Sequence, residues 1–321
     1  MPEEVKFFMC CVEPGTVSSP ERDIKAVLDE SGPDYETFTF ERPTAGHQGE
    51  VFLVTLRYAG QEYEVVVKFQ AGDPGFALEP FLHEYVADRT DIPVPRILVF
   101  EEEPELDIDS YFVTERISGD NLAESIGELD ETTRERVIEH AGRILGDMHA
   151  RIGFEGTPFE DLQDDAREYV AESVHVVDTS AVPRLVHDDF RPANMLFDAS
   201  RSQPITAVLD WQFALAADPE YQIARTDFLF IDPAFQDADT RNRLRDRLYT
   251  GYREYREFDP DEGYEQRRAV YHFATLLWRM AGFEAAFADF SELAKGRAEA
   301  RFRQQFDQLA GALPSEESSE E

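Results

Sequence analysis

The stretch Leu185-Val186-His187-Asp188-Asp189-Phe190-Arg191-Pro192-Ala193-Asn194-Met195-Leu196 places Asp189 and Asn194 on one polar loop, and Asp210 follows after two short apolar runs. Those runs, Met195-Leu196-Phe197 and Ala207-Val208-Leu209, flank the segment from Asp198 to Pro204 and read as two strands joined by a turn. Antiparallel pairing would bring the two ends of the hairpin together, so that Asp189, Asn194 and Asp210 converge. Phosphoryl transfer asks for little more from a protein: one carboxylate to orient the attacking hydroxyl, and an Asn and an Asp to hold Mg²⁺ against nucleotide phosphates. Polar loop residues often only cap turns, and an H-x-D-x-x-x-x-N string alone is loose. The chemistry also needs a phosphate-binding cation upstream.

Glu62-Tyr63-Glu64-Val65-Val66-Val67-Lys68-Phe69 supplies one, as a β-branched strand ending in a lysine. Only Lys6, Lys25, Lys68 and Lys295 occur in the chain, so a lysine kept in an apolar strand is a poor candidate for surface filler. Just before that strand, Ala45-Gly46-His47-Gln48-Gly49 separates two strand-like segments, Phe38–Phe40 and Val51–Leu56. Gly46 and Gly49 would let backbone approach a phosphate, although two glycines in a hairpin turn more often serve the turn alone.

With these residues in view, the chain resembles the aminoglycoside phosphotransferase and choline kinase-like family. That family carries an H-G-D-x-x-x-x-N loop and then a strand ending in Asp and an aromatic, here His187 through Asn194 and Asp210-Trp211-Gln212. Ala217-Asp218-Pro219-Glu220-Tyr221-Gln222-Ile223-Ala224 resembles its G-D-P-x-x-D-L-A stretch. Ile92 to Leu98 resembles its V-P-V-P segment, and Phe112 to Gly119 the hinge between its lobes. The likeness runs from about Phe38 to about Phe230. Three positions depart from the pattern: Asp188 stands for a glycine, Gln212 for a frequent glutamate and Gln222 for an acid. Asp188 is expected to point to solvent, the alternative being a like-charge influence on Asp189.

The resemblance implies an α+β, bilobal protein-kinase-like fold with a small antiparallel β-sheet N-lobe and a mainly helical C-lobe. The expected boundaries are 1–115, 116–313 and a disordered acidic tail at 314–321, with nucleotide between the lobes. The implied activity is Mg²⁺-dependent transfer from ATP or GTP to a hydroxyl of a small molecule. Asp189 would be the catalytic base, with Asn194 and Asp210 the metal ligands. Gly46, Gly49, Lys68 and Glu79 would serve the nucleotide, Glu79 rather than Glu84 pairing with Lys68. His187 would hold the loop backbone. The rival readings are a regulatory pseudokinase that binds nucleotide and a protein kinase-like phosphotransferase. All four of Lys68, Asp189, Asn194 and Asp210 are present, which disfavours the first. The missing A-P-E segment and the D-W in place of D-F-G disfavour the second.

Composition narrows the partners. The chain of 321 residues has 67 acidic and 31 basic side chains, a formal net charge of −36. Such a surface repels nucleic acid and anionic membrane. Spread acids, scarce lysine and abundant arginine resemble proteins of salt-accumulating halophiles, and a haloarchaeal member of the family is expected. Cys10 and Cys11 are the only cysteines and no disulfide framework can be built, which fits the cytoplasm. No apolar run approaches spanning length. Oligomeric state is not legible. Helices are expected after Ser19-Pro20-Glu21, between Pro80 and Arg89, and where Val137, Ala141, Ile144, Leu145 and Met148 share one apolar face. His149 is expected to cap that last helix, and a C-terminal helix to run from about Ala269 to Phe287.

Overall fold

The computed structural model describes residues 19–31, 35–43, 50–69, 76, 78–102, 104, 108–151, 182–232, 237–281, 283, 287 and 291–310. Cys10, Cys11, Gly46, Gly49 and the acidic tail lie outside the described residues. The chain forms two compact units, Met1–Glu84 with Pro95–Ile117, and Tyr85–Val94 with Ser118–Glu321.

The first unit is an antiparallel sheet. Strands β1 (Thr37–Glu41), β2 (Glu50–Tyr58), β3 (Gln61–Phe69), β4 (Ile97–Glu101) and β5 (Tyr111–Glu115) lie in the order β1-β2-β3-β5-β4. Alternation sorts their side chains between two faces. Phe52, Val54, Val65, Val67, Phe69, Tyr111 and Val113 turn to one face and form a core with Ile24, Val27 and Leu28 of helix α1 (Pro20–Ser31). The Ser19-Pro20-Glu21 start predicted that helix: Pro at the first turn loses no intrahelical bond, and the apolar spacing supplies the buried stripe. Lys68, one residue out of phase with Val67 and Phe69, turns to the other face with Phe112 as its register partner. Helix α2 (Leu78–Ala87) begins in this unit.

The second unit is mainly helical among the described residues. Helix α3 (Leu122–Ser125) is a single turn capped by Asn121, and α4 (Glu131–Arg151) buries Val137, Ala141, Ile144, Leu145 and Met148 as its periodicity predicts. Helix α5 (Pro219–Thr226) runs into a π-helical turn at Asp227–Ile231. Helices α6 (Ala238–Arg253), α7 (Glu262–Ala281) and α8 (Glu292–Ala310) follow. Backbones of α4 and α6 meet closely, and only glycine fits there. A Cβ on Gly142 would collide with the Leu248 carbonyl, and one on Gly251 with the Glu139 carbonyl.

Two small sheets complete this unit. Strand β6 (Asp120–Asn121) pairs with β8 (Met195–Phe197), which pairs antiparallel with β9 (Ile205–Val208), Met195 facing Val208. This is the hairpin expected from the two apolar runs. Strands β7 (Arg184–Val186) and β10 (Leu215–Ala217) form the other pair. His149 departs from expectation. It is fully buried, and its Nδ1 lies 2.9 Å from the Tyr252 hydroxyl of α6, so it ties two helices together instead of capping one.

Candidate active site

Lys68 sits next to last on β3 and is 9 % exposed. Its ammonium is ion-paired with the carboxylate of Glu79, in the first turn of α2, and lies 5.7 Å from the centroid of the Phe112 ring. Glu79 is itself buried, whereas Glu84 is exposed, so the helix offers Lys68 the first acid. One turn along α2, His83 donates from Nδ1 to the Pro95 carbonyl at 2.9 Å, anchoring the helix to the lead-in of β4. Two charges withdrawn from water in this way are tolerable only as a pair.

The second group is built on the loop between β7 and β8. Asn194 donates from Nδ2 to both the backbone carbonyl and the Oδ2 of Asp189, each at 2.9 Å. Its amide nitrogen is thereby committed to the loop, and its carbonyl oxygen is the atom left to face a cation. Arg191 Nε lies 2.9 Å from each Asp189 oxygen and donates to Oδ2. Asp189 is only 2 % exposed, yet its Oδ1 accepts no hydrogen bond. Oδ1, in ion-pair contact with Arg191 but accepting no hydrogen bond, can still accept one from a hydroxyl.

Asp210 leaves the end of β9, as the hairpin reading requires. Its neighbour Leu209 is the link: the Leu209 N–H donates to the Asn194 backbone carbonyl at 2.9 Å, and the Leu209 backbone carbonyl accepts from His187 Nε2 at 2.9 Å. A carbonyl can only accept, so the His187 proton resides on Nε2. Burial pushes this imidazole below its ordinary pKa, with the nearby Asp189 opposing, so it stays neutral and holds backbone. The ring lies tilted at 52° to that of Trp211, centroids 4.6 Å apart, and Trp211 is itself fully buried. His187 therefore fixes the loop, as expected.

Among the described residues, no three His, Cys, Asp or Glu side chains group into a metal cage of their own. An Mg²⁺ shared with nucleotide phosphates needs only one or two protein ligands, and the hard oxygens of Asn194 and Asp210 fit that requirement.

Asp188 does not point to solvent. Its side chain is 14 % exposed, accepts from the Tyr221 hydroxyl at 2.6 Å and lies 3.2 Å from Arg225 Nε. Arg225 also grips the Asp188 backbone carbonyl. The physical reason is the turn. Asp188 has φ +63°, and the Asp189 N–H closes back onto the His187 carbonyl at 2.9 Å, a three-residue turn of the strained, positive-φ kind. Glycine meets that φ without a Cβ penalty. Asp is among the few residues that tolerate it, and it is compensated here by an arginine and a tyrosine from α5. Gln222 supplies the remaining brace, accepting the Asp188 N–H at 3.0 Å on Oε1 and donating to the Thr226 hydroxyl at 3.1 Å. An amide carbonyl thus does the accepting that the absent carboxylate would do.

Tyr221 and Arg225 were missed by sequence reasoning, although Tyr221 and Gln222 lay in a recognised stretch. The available signal was their one-turn spacing on a helix after Asp218-Pro219, which puts Tyr221, Gln222 and Arg225 on one side of α5. A second buried cluster also went unread. Asp227, fully buried in the π-helical turn, receives Arg245 at 2.7 Å and Arg268 at 3.4 Å, with His272 at 3.4 Å.

A family model described as the phosphotransferase enzyme family (APH) matches residues 39–258. The chain belongs to this family. Solved structures similar to this phosphotransferase-family chain share its protein-kinase-like α+β fold. An aminoglycoside phosphotransferase candidate from Ralstonia eutropha JMP134 has a TM-score of 0.55 at 17 % identity, covering 92 % of this chain and 99 % of its own. A mutant of aminoglycoside 2'-phosphotransferase-IIIa in complex with GDP gives 0.55 at 11 % identity, covering 91 % and 96 %. The gentamicin complex of APH(2'')-IIa gives 0.51 at 14 % identity, covering 90 % and 94 %. No curated protein matches the chain in sequence. No described helix is long and apolar enough to cross a membrane.

Proposed function

We propose that this protein is a Mg²⁺-dependent phosphotransferase that moves the γ-phosphoryl group of ATP or GTP to a hydroxyl of a small molecule. The observation that carries the reading is Asp189: a buried carboxylate whose Oδ2 accepts from Arg191 and Asn194 while its Oδ1, in ion-pair contact with Arg191, accepts no hydrogen bond. The acceptor hydroxyl donates to Oδ1. Its oxygen forms the new bond to the γ-phosphorus as the bond to the β–γ bridging oxygen breaks, and its proton passes to the carboxylate. Asn194 and Asp210 hold Mg²⁺, which when bound neutralises phosphate charge. Lys68, kept in place by Glu79, contacts the nucleotide phosphates, and Gly46 and Gly49 are the further residues proposed to serve them. The lobe boundary is proposed at 115 and 116; the compact units divide at 117 and 118 and also assign Tyr85–Val94 to the second unit.

The −36 charge supports a protein adapted to a salt-rich cytoplasm, with no nucleic acid or membrane partner. Purified protein, incubated at high salt with ATP, Mg²⁺ and a panel of hydroxyl compounds, should consume ATP only when an acceptor is present. Chelation of divalent cations should stop the reaction. ATP consumption that no acceptor stimulates, with no phosphorylated product in any reaction, would count against the proposal.

A further inference from the structure

A helix N-cap needs only an acceptor, and this chain ordinarily supplies one with aspartate. Asp130, Asp218, Asp237 and Asp261 accept backbone N–H groups from the first turns of α4, α5, α6 and α7. The short helix α3 is capped instead by Asn121, in a sequence with 67 acidic residues and three asparagines, Asn121, Asn194 and Asn242. What an asparagine adds to a cap is a donor. Asn121 Oδ1 accepts the Ala123 N–H at 2.9 Å, which completes the cap. Its Nδ2 donates to the Ala193 backbone carbonyl at 3.0 Å, 72 positions further along the chain.

That carbonyl belongs to a 3₁₀ turn at Pro192–Asn194. Within the turn, the Asn194 N–H donates to the Arg191 carbonyl at 3.0 Å and the Met195 N–H to the Pro192 carbonyl. The chain becomes extended at Met195, and a turn that stops leaves its last carbonyl to an outside donor. Asn121 is that donor. The peptide unit joining Ala193 to Asn194 is thereby held at both its C=O and its N–H, and the Leu209 N–H holds the Asn194 backbone carbonyl at 2.9 Å. Bonds on either side of the Asn194 Cα fix the point from which its side chain springs. The approach of Asn121 is also built in. Strand β6 sets Asn121 opposite Leu196. Two residues earlier Gly119, at φ +155°, runs so close to β8 and β9 that a Cβ would meet the Thr206 hydroxyl at 2.7 Å and the Phe197 carbonyl at 3.0 Å.

We propose that Asn121 is a positioning residue for the Mg²⁺ ligand Asn194: its oxygen caps α3, and its amide nitrogen sets the backbone that aims the Asn194 side-chain oxygen at the cation. This deepens the phosphotransferase reading and rests on the metal role given there to Asn194. The two halves of the amide can be separated by substitution, because Asp and Ser both cap helices. Asn121→Asp keeps the cap and turns the donor into an acceptor. Asn121→Ser keeps the cap on a side chain too short to reach Ala193.

The test is calorimetric titration of ADP into wild type and both variants, without Mg²⁺ and at a series of Mg²⁺ concentrations, and it needs no acceptor. In wild type Mg²⁺ should tighten ADP binding. In both variants the half-saturating Mg²⁺ should rise by about tenfold or more, the usual scale for losing a partner that orients a metal ligand, while affinity for metal-free ADP stays within about twofold. Melting temperatures should stay near that of wild type, since the cap survives; if Asn121→Asp does not fold, Asn121→Ser decides on the same readout. The neutral serine separates the lost donor from the added charge of the aspartate. A residue that only caps α3 would leave the Mg²⁺ dependence of both variants unchanged, and that result would overturn the proposal. A loss confined to Asn121→Asp, or an equal weakening of metal-free ADP, would overturn it too. ADP binding that Mg²⁺ leaves unchanged in wild type would instead overturn the metal reading of Asn194 on which the proposal stands.

Discussion

Lys68 is set by regular structure, a strand register and the first turn of a helix, whereas Asp189 is set by a three-residue turn at positive φ that side chains from α5 hold in place. The first arrangement is local and cheap. A period-2 strand aims the lysine and one ion pair holds it. The second stores strain at Asp188 and stabilises it with Arg225, Tyr221 and Gln222. A cation that contacts phosphate oxygens tolerates some freedom, while a base that must meet one hydroxyl proton does not. That difference in required precision accounts for the heavier bracing of the turn.

Removing the brace should have the largest effect. Arg225 is 2 % exposed, and Arg225→Ala leaves the Asp188 carboxylate without its buried partner. The variant should lose about 3–5 kcal/mol of stability, the usual penalty for breaking a buried pair, and its activity should fall with it. Denaturant melts that match wild type would remove the argument that α5 holds the turn. Lys68→Ala should be milder for folding and sharper for chemistry. Its kcat/KM for ATP should drop roughly a hundredfold, the scale for losing one charged donor to the transferring group. A drop below about threefold would mean that Lys68 only fills space.

Legibility followed the same division. Lys68 and the β8–β9 hairpin could be read because period and turn composition are written in neighbouring residues, whereas Glu79 came from the family resemblance and lies inside the first turn of a helix expected to start after it. Asn194 and Asp210 followed from that hairpin. Asp188 was misread because its partners lie on α5, more than 30 positions later, and nothing local shows that Tyr221 and Arg225 face it. His149 was misread for the same reason, since its partner Tyr252 comes from another helix. The Asp227 cluster draws on the π-helical turn, α6 and α7 at once, and no window of sequence contains it.

Acid offers a third contrast, because it attacks the second unit through its histidines. Burial holds His140 down to about 4 and His149 to about 3, and His140 Nδ1 must stay bare to accept the Ile205 N–H. Both are depressed from the unfolded value near 6.5, so unfolding takes up protons. The stability they contribute is full above that value and is lost as pH falls towards 4 and then 3. Melting temperature recorded from pH 7.5 to 4.5 should decline, and less steeply in a His140→Gln variant. An equal slope would show that other groups dominate.

Salt should give the smallest and most diffuse effect. At molar ionic strength the screening length falls to about 3 Å, which relieves repulsion among the surface acids. Melting temperature should rise from dilute buffer to several-molar KCl. A flat or falling curve would contradict the halophile reading and leave the chemistry untouched.

Asp189→Asn decides the central claim, that Asp189 serves the acceptor hydroxyl and not the nucleotide. The substitution keeps the shape of the side chain, including an oxygen for Arg191 and Asn194. With the preferred acceptor, kcat should fall by about a thousandfold or more, while Mg·ADP binds within about threefold of wild type. Turnover at the wild-type rate in Asp189→Asn would contradict the account.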